Sequence, residues 1–104
     1  MIFARVIGNV VCTRKEEKLV GTKLLLVQPV DLQGQPKGNP LVGVDAVGAG
    51  EGELVLLVQG SSARQTERTE GSPVDCTLFA IVDSVEQGGK IVFRKSDDRL
   101  PSLR

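Results

Sequence analysis

Three alternating glycines, Gly48, Gly50 and Gly52, lie between two apolar runs and are the first pattern in this chain that suggests chemistry. Glycine-rich turns let backbone N–H groups approach a phosphate closely, so a nucleotide site is one hypothesis. The spacing is G-x-G-x-G, whereas a dinucleotide fingerprint requires G-x-G-x-x-G before a helix, and no G-K-[ST] follows to form a P-loop. Glu51 and Glu53 also place carboxylates beside the turn. The pattern therefore favours a strand-to-strand loop whose glycines provide positive φ or close backbone approach.

Other candidate nucleophiles and acids lack the partners that catalysis requires. Ser61 and Ser62 lie in "QGSSAR", which is not a G-x-S-x-G elbow, and the chain has no histidine to act as a general base or a metal ligand. Asp97 and Asp98 are adjacent carboxylates, but they lie in a polar tail where an acid has no reason to be desolvated. We expect no catalytic residue, no cofactor and no bound metal.

Length and composition indicate a single domain without a charged binding surface. The 104 residues include 13 basic and 13 acidic side chains, so the formal net charge is zero. A chain without net positive charge lacks the electrostatic attraction expected of a protein that binds nucleic acid or an anionic membrane. No apolar run approaches the roughly 18 residues of a membrane span. Cys12 and Cys76 lack C-x-x-C spacing, which suits two packed thiols in a reducing cytosol. One long-range disulfide between them remains an alternative.

Short segments rich in Val, Ile and Leu, separated by turn residues, predict a mainly β chain. We predict strands over residues 2–12, 23–30, 41–47, 54–59 and 90–95. Gly8 predicts a bend or bulge in the first strand, and Pro29 marks an edge or exit of the second. Two glycines and two prolines make residues 31–40 a loop.

One segment, residues 72–86, breaks this pattern and predicts a helix. Its apolar side chains recur at helical spacing: Val74, Leu78, Ile81, Val82 and Val85. Ser72 is a suitable N-cap, Pro73 fits the first helical position, and a glycine pair follows the segment. A strand over residues 77–82 stays possible, because β-branched residues are common there.

About five short strands with glycine bends, and one helix near the C-terminal third, predict a small OB-like β-barrel. OB barrels often bind single-stranded nucleic acid by stacking bases on aromatic side chains in a basic groove. The aromatic residues here are Phe3, Phe79 and Phe93, and the net charge is zero. An OB-fold nucleic-acid-binding module and a small enzyme with an unrecognised site are therefore kept as alternatives.

Four motifs cover most of the chain: "GNVVCTRK" (residues 8–15), "GTKLLLVQP" (21–29), "VDAVGAGEGELVLLVQGSSAR" (44–64) and "PVDCTLFAIVDSVE" (73–86). In order and spacing they resemble the vertex-protein family of bacterial microcompartments, the EutN/CcmL type of carboxysomes and metabolosomes. The third motif is the specific one. Cys12 and Cys76 stand where that family more often has a small residue such as alanine.

The resemblance implies a structural shell protein that forms homopentamers and has no chemistry of its own. A shell tiled with hexagonal units stays flat, so pentamers would close its five-fold vertices beside hexameric or pseudohexameric shell proteins. The resemblance implies a cytoplasmic location. It implies no nucleic-acid partner and no membrane partner. We expect residues 1–95 to form one shell-vertex domain and residues 96–104 a polar tail.

A closed ring uses two complementary patches of each subunit, repeated around the axis. Small residues in the third motif permit close backbone approach, and the guanidinium at its end offers a planar set of donors. We therefore expect ten residues at the subunit interface or five-fold axis: Gly48, Ala49, Gly50, Gly52, Glu53, Gly60, Ser61, Ser62, Ala63 and Arg64. A purely internal turn is the alternative.

Overall fold

The computed structural model describes residues 1–60, 66 and 75–97. Within them the chain forms seven strands: β1 (Ile2–Val10), β2 (Leu24–Pro29), β3 (Leu41–Asp45), β4 (Leu54–Gln59), β5 (Cys76–Ile81), β6 (Ser84–Gln87) and β7 (Lys90–Arg94). Short 3-10 turns occupy Glu17–Leu19 and Lys95–Asp97. Short segments rich in Val, Ile and Leu and bounded by turn residues thus form strands, as the sequence pattern predicts.

The first five strands close into a barrel with the order β1-β2-β3-β5-β4. β1 pairs antiparallel with both β2 and β4, while β3 and β5 pair in parallel through Val44 with Thr77 and Asp45 with Leu78. Closure leaves these strands without an unpaired edge. The expected OB-like barrel of about five strands is confirmed.

The bulge expected in β1 lies where the sequence places it. The β1–β2 register shifts between Val6 and Gly8, and β2 ends at Pro29 as expected. Apolar side chains at every second position are fully buried, in the pairs Ala4 and Val6, Leu25 and Val27, and Val55 and Leu57, although Arg5 is buried as well. This period of two is the pattern of strands that bury one face.

The helix predicted near the C-terminal third is wrong over the described residues, since Cys76–Ile81 is strand β5. Consecutive residues Cys76, Thr77 and Leu78 are all buried, so both faces of β5 are covered at its start. A strand buried on both faces loses its alternation, so its apolar positions can imitate helical spacing. The proposed cap residues Ser72 and Pro73 lie outside the described residues.

The strand predicted over residues 90–95 forms, but it lies outside the barrel. It is β7, and it pairs with β6 in a separate two-stranded sheet. The fifth barrel strand is instead β5. The order of strands in a barrel depends on long-range pairing, which local patterns do not encode.

The two cysteines occupy different environments. Cys76 is buried in the barrel, whereas Cys12, just beyond the end of β1, is exposed, and both thiols are free. The expectation that both are packed is therefore wrong for Cys12, and the disulfide alternative is also wrong. Burial raises the pKa of the Cys76 thiol.

Candidate functional site

The glycine loop (residues 46–53) connects β3 to β4 and is fastened by the last residue of β3. The side chain of buried Asp45 accepts hydrogen bonds from the N–H groups of Val47 and Gly48 at 3.0 Å, and its Oδ2 accepts one from the Ala49 N–H at 3.0 Å. The next N–H, that of Gly50, donates to Glu53 Oε1 at 2.6 Å. Four consecutive backbone donors are thus directed at carboxylates of the same chain.

This arrangement decides against a phosphate site in the loop. A phosphate cradle requires backbone N–H groups that point at the ligand. Here those groups bind Asp45 and Glu53, and an incoming phosphate would have to displace two carboxylates. The hydrogen bonds show a loop of fixed shape instead.

The second half of the loop is held against the barrel by Arg5. Its side chain is buried, and its Nη1 donates to the carbonyl oxygen of Gly52 at 2.9 Å. The Gly52 N–H donates to the Val6 carbonyl at 2.8 Å, and the Val6 N–H donates to the Glu53 carbonyl at 3.0 Å. The Arg5 guanidinium carbon also lies 5.8 Å from the centre of the Phe93 ring, within the range of a cation–π contact. Arg5 thereby joins the loop, β1 and the β6–β7 hairpin.

Glu53 provides a second link between the loop and the hairpin. Its carboxylate forms an ion pair with Lys95, which directly follows β7. The hydrogen bond from Lys95, together with the one from the Gly50 N–H, lowers the pKa of Glu53, and the same bond raises the pKa of Lys95. An acid held ionised by a structural ion pair has no proton to offer as a general acid.

The glycines of the loop have different conformational roles. Gly48 and Gly52 have φ of 75° and 89°, whereas Gly50 does not have positive φ. A Cβ at Gly48 would meet nothing within 4 Å, and a Cβ at Gly50 would meet only Glu53 Oε1 at 3.4 Å. Gly48 and Gly50 are exposed, while Ala49 is fully buried. The loop thus presents bare backbone at its surface.

Sequence reasoning identified the loop but missed the residues that hold it. Arg5 and Asp45 fix the loop and were not predicted as site residues; the available signals are charges that interrupt or end apolar strands. Of the ten expected interface residues, Gly48, Ala49, Gly50, Gly52, Glu53 and Gly60 are described. Ser61, Ser62, Ala63 and Arg64 lie outside the described residues, so the interface assignment stays a prediction.

Neither a metal site nor a membrane-spanning helix is found in the part of the chain that the structure describes. Within residues 1–60, 66 and 75–97, no group of three or more His, Cys, Asp or Glu side chains could hold a metal. In the same part of the chain, no helix is long and apolar enough to cross a membrane. The three phenylalanines are half-buried, and Phe93 lies against Arg5 within the subunit.

Comparison with known proteins agrees with the barrel fold. A family model described as "Ethanolamine utilisation protein EutN/carboxysome" matches residues 1–83. The bacterial microcompartment shell vertex protein EutN of Salmonella typhimurium is 53% identical over 95 residues, which is 91% of this chain and 96% of the relative. The solved structure of Gloeobacter violaceus CcmL has a TM-score of 0.88 and 42% identity, covering 93% of this chain and all of that one.

A third relative is described as a pentamer. The structure described as a pentameric microcompartment shell protein, GrpN of Rhodospirillum rubrum, has a TM-score of 0.76 and 47% identity. It covers 84% of this chain and 99% of its own.

The barrel fold and these relatives identify a structural shell protein of the vertex class and not an enzyme. The chain belongs to the EutN/CcmL family. Its place is the shell of a bacterial microcompartment, in the cytoplasm. The resemblance seen in the four motifs is thus confirmed, and the relatives give no support to the nucleic-acid and enzyme alternatives.

Proposed function

We propose that this chain forms a homopentamer that closes the five-fold vertices of a microcompartment shell, next to hexameric or pseudohexameric shell proteins. The observation that carries the proposal is the similarity to Rhodospirillum rubrum GrpN, described as pentameric, at 47% identity over 84% of this chain. Flat hexagonal tiling requires five-fold units to close, and a vertex protein supplies them. In such a ring each subunit contributes two different surfaces, one to each neighbour.

We propose further that the glycine loop and the segment after β4 contribute to these surfaces. The residues involved are Gly48, Ala49, Gly50, Gly52, Glu53, Gly60, Ser61, Ser62, Ala63 and Arg64. The exposed backbone at Gly48 and Gly50 supports this, because it allows a neighbouring main chain to approach closely. The hydrogen bonds to Asp45 support it too, because a loop of fixed shape loses little conformational entropy when it is covered.

Residues 1–95 form the shell-vertex domain in this proposal, and residues 96–104 are a polar tail outside it. The alignment with Salmonella typhimurium EutN spans 95 residues, or 91% of this chain, which supports a boundary in that region. Removal of residues 96–104 should leave the mass of the assembled ring at five shortened chains.

The experiment that tests the pentamer is a mass measurement in solution. Five copies of the 11.1 kDa chain give about 55 kDa, which light scattering separates from a monomer and from a hexamer. A ring closed by repeated contacts should show no series of smaller species. A monomer throughout the micromolar range would refute the vertex assignment for this chain.

A substitution at Gly50 tests whether the loop lies at a subunit contact, which the mass of the wild-type protein does not show. Because Gly50 does not have positive φ and meets only Glu53 Oε1, Gly50→Val should fold normally and keep the Gly50 N–H bond to Glu53. If the loop lies at a subunit contact, the two added methyl groups prevent ring closure while the circular dichroism stays that of the parent. Gly50→Ala is the graded control. A fully pentameric Gly50→Val protein would show that the loop does not lie at the subunit interface.

A further inference from the structure

Two apolar patches lie on this subunit, and the first is a groove at the amino-terminal end of β1. The amino-end groove is open, has a volume of about 750 Å³, and includes Met1, Ile2, Leu32, Leu41 and Gln59 in its lining. Met1, Ile2 and Leu32 are 82%, 39% and 36% exposed. Adjacent exposed apolar side chains of this size usually mark an interaction site.

The second patch is the β1–β2 tip (residues 11–23), the connection between the first two strands. Val11 is 89% exposed and Val20 is 66% exposed, the largest exposures among the described large hydrophobic side chains other than Met1. The charged run "TRKEEK" lies between them in the sequence. Val11 and Val20 are the exposed apolar side chains that the tip offers for contact.

The two patches lie too far apart to be parts of one contact. β1 has nine residues between them, and at about 3.3 Å per residue the separation approaches 30 Å. The groove is concave, whereas at the tip Val11 is almost fully exposed and borders a smaller open cavity of about 450 Å³. They are therefore two unlike surfaces at opposite ends of one strand.

Each patch adjoins a different half of the interface proposed above. Gln59 lines the amino-end groove and directly precedes Gly60, the first residue of the second small-residue segment. At the other end, the Lys23 ammonium lies 3.5 Å from the carbonyl oxygen of Ala49 in the glycine loop, which joins that loop to the β1–β2 tip. Two separate contact regions result, each with an apolar and a small-residue part.

We infer that the amino-end groove of one subunit receives the β1–β2 tip of the next subunit in the ring. This inference rests on the proposed pentamer, because a closed ring requires two different, complementary patches on every chain. The occupant of the groove is thus a second copy of this chain, with Val11 and Val20 as its apolar contacts. The β6–β7 hairpin is the weaker candidate, since Val92 and Phe93 line a small cavity with Arg5 of the same subunit.

Single substitutions in each patch test the pairing. Val11→Glu places a charge on the tip, and Leu32→Glu places one in the groove; neither side chain is in the buried core. Each variant alone should give an 11.1 kDa monomer instead of the pentamer. An equimolar mixture should give a dimer of about 22 kDa, because it combines one intact groove with one intact tip. Ile91→Glu, at a 52% exposed apolar residue outside both patches, should stay pentameric.

Cross-linking through the natural Cys12 of the tip gives a second, direct readout. In Leu32→Cys, a short bismaleimide should join the tip of one subunit to the groove of the next and produce a ladder of up to five chains under denaturing conditions. Cys12→Ala combined with Leu32→Cys should remove the ladder, and Ile91→Cys should not produce one.

The possible results separate the two proposals. A wild-type protein that is not pentameric refutes the proposed function. A pentameric wild type with a pentameric Val11→Glu variant, or a pentameric Leu32→Cys protein without the ladder, overturns the pairing of groove and tip alone. If Val11→Glu loses its β-barrel circular dichroism, Val20→Glu at the same tip takes its place.

Discussion

Gly43 lies in β3 where this strand passes the side chains of β5, and it offers a sharp test of the barrel packing. A Cβ at Gly43 would lie 2.7 Å from Leu78 Cδ1 and 3.3 Å from Cys76 Sγ. Nonbonded carbons are normally about 3.5–4.0 Å apart, so Leu78 must move by about 1 Å. Leu78 is fully buried and Cys76 is 5% exposed, so the displaced atoms have no solvent to move into.

We expect Gly43→Ala to lower the free energy of unfolding by about 1–2 kcal/mol. Overpacking of a filled core costs about 1–3 kcal/mol. Replacement of a glycine that does not have positive φ returns about 0.4–1 kcal/mol by restricting the unfolded chain. The balance is a net destabilisation, even though alanine is otherwise the better strand residue.

Urea unfolding at one fixed protein concentration measures this change, because assembly makes the apparent stability depend on concentration. Leu78→Val removes the Cδ1 atom that clashes, so the double variant should lose less stability than the sum of the two single variants. Gly8→Ala is the matched control, since its Cβ would meet only Leu26 Cβ at 3.9 Å and it lies outside the proposed interface, so it should stay within about 0.5 kcal/mol. A Gly43→Ala protein as stable as the parent, or strict additivity with Leu78→Val, would refute the packing argument.

Three further predictions concern polar groups and thiols. Asp45→Asn should lower the free energy of unfolding in urea by about 1–3 kcal/mol, because an amide N–H₂ would face one of the three backbone donors that the carboxylate satisfies. An unchanged stability would contradict the role of Asp45 in fixing the loop. The lowered pKa of Glu53 means that its contribution is complete above the ordinary carboxyl pKa and is lost as the pH falls through the lowered value. Glu53→Gln should therefore be less stable than the parent at pH 7, and this difference should shrink in acid; a difference unchanged at acid pH would contradict the ion pair with Lys95. In the native protein a maleimide should label Cys12 but not Cys76, whose burial protects the thiol and raises its pKa, and both should react in urea.

The sequence by itself determined the features that repeat locally. The strands from β1 to β4 follow from short apolar runs bounded by turn residues, and Gly8 predicts the bulge in β1 because glycine bends a strand without a steric cost. The family was evident from the four motifs, since their order and spacing are properties of the chain alone. The glycine loop was identified as a connection between strands for the same reason.

Only the tertiary structure decided which strands close the barrel and which side chains hold the loop. β5 resembled a helix because its adjacent residues Thr77 and Leu78 are both buried, and periodicity reports burial only when one face is covered. Arg5 reaches Gly52 across 47 positions of sequence, and Lys95 reaches Glu53 across 42. Such partners are brought together by strand pairing around the closed barrel, which depends on contacts between distant segments and not on local residue patterns.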